Sequence, residues 1–106
     1  MDNYDEAKYP GVRYAYEKIS GDAVNALCSM RPGRERLGEA IWRVGLANSH
    51  GGDRLPPKMN EMMNEIVERG NSLDEMTDDE CQEVINQIKY HITICLYISF
   101  FFSSLF

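Results

Sequence analysis

The sequence predicts an all-α fold: a small bundle of about four helices, with a hydrophobic C-terminal extension of the last one. Three observations predict it. Apolar residues recur at three- and four-residue steps in four stretches, the spacing of a single helix face. No stretch before residue 92 alternates with period two, and no Asn-Gly or Asp-Gly pair marks a hairpin. Breakers fall between the stretches, at Arg31-Pro32-Gly33, from Asn48 to Asp53, and at Gly70-Asn71. At 106 residues the chain is one domain, because two halves would each bury too little apolar surface.

Residues 1–10 are polar and dotted with tyrosines, without a sustained period, and are expected to form a loose arm that packs through Tyr4 or Tyr9. The bundle domain spans residues 11–91. Its first stripe is Val12, Tyr16, Ile19, Ala23 and Leu27. Gly21 interrupts it at a cost of about 1 kcal/mol relative to Ala, so Ser20 or Asp22 can cap a restarted helix and divide it in two.

Pro32 suits the opening turn of a second helix, where its missing N–H costs nothing. Leu37, Ala40, Ile41, Val44 and Ala47 form its apolar face, with Trp42 and Leu46 beside it. Gly38 and Gly45 flank Trp42 and leave room for the indole or for another backbone. The run from Asn48 to Asp53 reads as a loop. Pro56-Pro57 opens a third helix carrying Met59, Met62, Met63, Ile66 and Val67, and Gly70-Asn71 is expected to end it in a left-handed cap.

The fourth helix has the strongest local signal. Thr77-Asp78-Asp79-Glu80 fits a capping box in which Thr77 and Glu80 each accept from the other's backbone N–H, with Met76 and Cys81 placed as a hydrophobic staple. Three carboxylates in the first turn complement the helix dipole. Val84, Ile85, Ile88 and Ile92 carry the stripe onward.

Residues 92–106 are set apart as an uncharged tail, holding no Asp, Glu, Lys or Arg and all four Phe. Three accounts compete: a packed or interface element, a membrane contact, and a stretch acquired by translation past an ancestral stop, since its residues favour thymine-rich codons. From Tyr90 onward the uncharged run is roughly 25 Å long as a helix, somewhat short of a bilayer core of about 30 Å.

Composition narrows the function. Seventeen acidic residues against eleven Lys and Arg give a formal charge of -6, which argues against direct nucleic-acid binding. Three cysteines without CxxC spacing fit a reducing, cytoplasmic setting better than a disulfide scaffold or zinc cluster. No secretory signal opens the chain. No phosphate loop, nucleophile elbow or zinc-protease motif occurs, so no enzyme and no cofactor or metal is expected. His50 and Asp53 share one loop but lack the further ligands a metal needs. Cys81, crowded by carboxylates, reads as a staple residue rather than a nucleophile.

The expected function is therefore a small non-enzymatic interaction module, an adaptor, inhibitor or regulator that binds protein and forms a homo-oligomer. Its candidate contact residues are Trp42 (which equally suits the centre of the core), a methionine groove of Met59, Met62 and Met63 (whose helical spacing favours plain core), and Tyr97, Phe100 and Phe101 in the tail. Two alternatives stand beside it. One is membrane association through residues 92–106; the other is an acidic face at Asp78, Asp79 and Glu83 that mimics nucleic acid and occupies a DNA- or RNA-binding enzyme.

Overall fold

The computed structural model describes residues 9–103, with side chains as far as Ser99. Tyr4 and the side chains of Phe100 and Phe101, singled out above, lie outside the described residues. Four helices pack around one core, and no strand occurs among the described residues.

Helix α1 is assembled from Val12–Glu17, a π-helical stretch Lys18–Ala23 and a final turn Val24–Leu27. It is continuous through Gly21, and the predicted split does not occur. The wide π turn absorbs the glycine instead; no neighbouring atom lies within 4 Å of where a Cβ would sit. The buried face is Val12, Ala15, Ile19 and Ala23, so Ala15 replaces Tyr16, which is exposed. Small alanines let this helix lie close against its neighbours.

Helix α2 spans Gly33–Gly51. Its five predicted core residues are all buried. The expected loop from Asn48 begins four residues later than composition suggests, because α2 continues through Gly51. Tertiary contacts override the weak local propensity here. The Asn48 side-chain amide donates to Asn64 Oδ1 at 2.7 Å, and Gly51 is buried under Leu55, whose side chain occupies the space a Cβ at Gly51 would need. Gly52, at φ 47° and ψ -126°, then turns the chain in a conformation open to glycine.

Helix α3 spans Pro57–Glu68 and buries Met59, Met62, Met63 and Ile66. It ends without the left-handed cap expected at Gly70; the chain tightens into a 3-10 stretch, Arg69–Glu75, and Gly52 is the residue with positive φ among those described. Gly70 serves a different need. A Cβ there would stand 3.1 Å from Ile41 Cγ2, so its absence lets the turn close over α2.

Helix α4 spans Asp78–Ser103. The capping box forms as predicted: the Thr77 N–H donates to Glu80 Oε1 at 2.8 Å and the Glu80 N–H to Thr77 Oγ1 at 3.1 Å. Met76 and Cys81, the staple pair, both join the core. Cys81, Ile85, Ile88, Ile92, Cys95 and Ser99 line the buried face at alternating four- and three-residue steps. Residues 92–99 therefore belong to the same core as the rest of the chain, and the compositional break at Lys89 is not a structural one.

Helices α3 and α4 run antiparallel. Arg69 Nη1 donates to Gln87 Oε1 at 2.8 Å, His91 Nε2 meets Glu65 Oε2 at 3.3 Å, and Ser99 Oγ approaches Met59 Sδ at 3.7 Å. On its other sides α4 touches α2 and the first turns of α1.

Candidate functional site

Two of the concave surface features among the described residues carry accessible side chains suited to binding. The first lies where α2 crosses α3. Trp42 is 57% exposed, although it adjoins five core residues in sequence space. Its helix turn places Ile41 inward and the indole outward, beside Leu46, which is also exposed. A groove of about 370 Å³ runs between Trp42, Gly45 and Leu46 on α2 and Val67 on α3. Gly45 keeps it open, since a Cβ at that position would rest 3.7 Å from Val67 Cγ2. The Arg43 guanidinium sits 5.1 Å from the indole centroid and is held by Glu39 Oε2 at 2.7 Å. This places a cation on an aromatic face at the rim of an apolar trough.

The second is a polar cleft of about 380 Å³ between α1 and α2. Arg36 is held in place in its lining. Its Nε donates to Arg31 O at 2.8 Å, its Nη1 to Leu27 O at 3.3 Å, and its Nη2 to Gln82 Oε1 on α4. One guanidinium thus ties the end of α1 to both α2 and α4, and its charge suits the carbonyl end of α1. A second tie joins the starts of α2 and α4: the Arg34 N–H donates to Asp78 Oδ1 at 3.1 Å, and the Arg34 guanidinium donates to Met76 O. Sequence reading missed both ties. Their partners lie 42 to 46 residues away, and no local pattern announces them.

The remaining candidates separate by burial. Met59, Met62 and Met63 lie in the core at 0%, 6% and 0% exposure, so they fill space between helices and do not line an open groove. Asp78 and Glu80 spend oxygens on helix capping, whereas Asp79 and Glu83 are exposed. Tyr90 and Tyr97 project from the outer side of α4, both largely exposed. His50 lies in the last turn of α2 with its ring edge-on to Tyr14, centroids 5.4 Å apart, and Asp53 stands exposed in the 3-10 turn that follows. Cys28 is exposed, while Cys81 and Cys95 are buried. Burial pushes the Cys95 thiol from its ordinary 9.0 up to about 12, which keeps it protonated and unreactive.

Among the described residues no three His, Cys, Asp or Glu side chains gather closely enough to hold a metal ion. No helix of the described residues is long and apolar enough to cross a membrane. Compared with known proteins, the chain matches no family model, no curated protein and no solved structure.

Proposed function

We propose that this protein is a non-catalytic interaction module that binds a protein partner through the Trp42 groove. The observation that carries the reading is the exposed indole beside an apolar trough on a rigid helix pair. Burying a tryptophan is worth more than leaving it in water, and such residues concentrate at the energetic centres of interfaces. The groove suits an apolar helix face, with Trp42 and Leu46 as anchors and Arg43 at the rim. A second copy of the chain is one partner of this kind, and a different protein is the other.

The test compares the full chain with Trp42→Ala, an exposed substitution that leaves the core intact. Light scattering across a concentration series reads self-association, and affinity capture followed by a purified binding assay reads a separate partner. The expected result is binding in one assay that weakens roughly thirtyfold or more in the variant, as at an interface hot spot. Unchanged binding by the variant, or a monomer that captures nothing, overturns the reading.

A further inference from the structure

We propose that the cleft between α1 and α2 binds a small polar ligand bearing one oxyanion, a carboxylate or a phosphate, at its Arg31–Arg36 end. This inference does not rest on partner binding at the Trp42 groove, although Arg43 borders both features.

The argument starts from how the cleft's charges are already used. Three arginines and three carboxylates line it: Arg31, Arg36 and Arg43 against Asp22, Glu35 and Glu39. Glu39 and Arg43 neutralise one another at 2.7 Å, and Asp22 pairs with Lys18 at 3.6 Å. Arg31, Arg36 and Glu35 remain, and none of them forms an ion pair among the described residues. The part of the cleft lined by Arg31 and Arg36 therefore keeps a surplus positive charge in a chain whose formal charge is -6.

Arg36 is also set up in advance. Three of its five N–H donors go to Arg31 O, Leu27 O and Gln82 Oε1, all neutral acceptors, so the fork is fixed while two donors and the charge stay uncommitted. A guanidinium held in this way recognises a planar carboxylate or a phosphate without first losing side-chain freedom. Ser29, which lines the same cleft, has a buried Oγ without a hydrogen-bond partner, an unmet demand that a rotation toward a bound oxyanion satisfies. Glu35 faces the same space and favours a ligand that also carries a hydroxyl or ammonium donor. A volume of about 380 Å³ holds a small metabolite-sized molecule.

The probes are inorganic phosphate and acetate, titrated separately into the full ¹⁵N-labelled chain, with chloride at matched ionic strength as the control. Arginine side-chain N–H signals and the amides of Ala26, Ser29 and Glu35 report the cleft. The expected result is a saturable shift of these signals with phosphate, acetate or both, and the tighter anion identifies the ligand's acid group. Arg31→Gln, an exposed change checked for fold by circular dichroism, should weaken binding about tenfold, the worth of a charge-assisted hydrogen bond. Glu35→Gln should strengthen it severalfold by removing a like charge. Shifts that match chloride and do not saturate, or wild-type affinity in Arg31→Gln, overturn the proposal.

Discussion

Cys95 shows how position in the fold decides a side chain's chemistry. It sits on the inner face of α4 with no exposed surface, and its thiol is held up near 12 by desolvation. The folded protein therefore keeps the proton at a pH where the unfolded chain, titrating near 9, releases it. Stability from this group is fully present below pH 9 and is lost as pH rises from about 9 toward 12, since the unfolded state then binds fewer protons. Urea midpoints measured at about pH 8 and about pH 10.5 should fall more steeply for the natural chain than for Cys95→Ala. Equal slopes would show that the thiol is not the group responsible. The burial of Cys95 was open in the sequence, where the uncharged run around it fitted several environments. Trp42 illustrates the reverse case: helical spacing put it beside the core stripe, yet one turn of angle decides between inside and outside, and composition does not fix that angle.

At the scale of elements, much was legible because helix signals are local. The Thr77–Glu80 box formed as written, since both hydrogen bonds span three residues and depend on nothing distant. The apolar faces of α2 and α3 were likewise readable from spacing alone. What escaped were the junctions. The end of α2, the π turn in α1 and the roles of the glycines are set by neighbours far along the chain. Three glycine-to-alanine changes separate these roles. At Gly33 a Cβ would lie 2.5 Å from the carbonyl oxygen of Asp78, a backbone atom that cannot swing away, so Gly33→Ala should cost about 1–3 kcal/mol. Gly52→Ala should cost a similar amount for a different reason, its positive φ. Gly21→Ala meets open space in a helical backbone and should gain roughly 0.5–1 kcal/mol. Denaturant midpoints at constant m-value check all three.

At the scale of the whole molecule, α4 is the member that every other helix leans on. It packs against α1, α2 and α3, and its buried face continues past Lys89 through Ile92, Cys95 and Ser99. A chain cut after Lys89 leaves Met59 without cover at the start of α3, and loses three buried positions at once. Such losses, at about 2–5 kcal/mol for a large core residue such as Ile92, with those of the partly buried Ile94, Leu96 and Ile98 added, are comparable to what a small domain holds in reserve. The truncated chain should show a broad, non-cooperative thermal transition by circular dichroism, whereas the full chain melts sharply. A sharp melt in both would mean that the last turns are dispensable. The sequence argument for a second copy began from an uncovered apolar tail. The inner face of residues 92–99 is covered by the protein's own helices, while Tyr97 on the outer face stays largely exposed, and the proposal of a protein partner rests on the Trp42 groove.

The contact between the first turns of α1 and the body of α4 also dictates an order of events during synthesis. The ribosome releases α1, α2 and α3 while the residues that will cover Met59 are still inside the exit tunnel. Until α4 emerges, the first three helices can meet one another, but Met59 lacks part of the face that covers it.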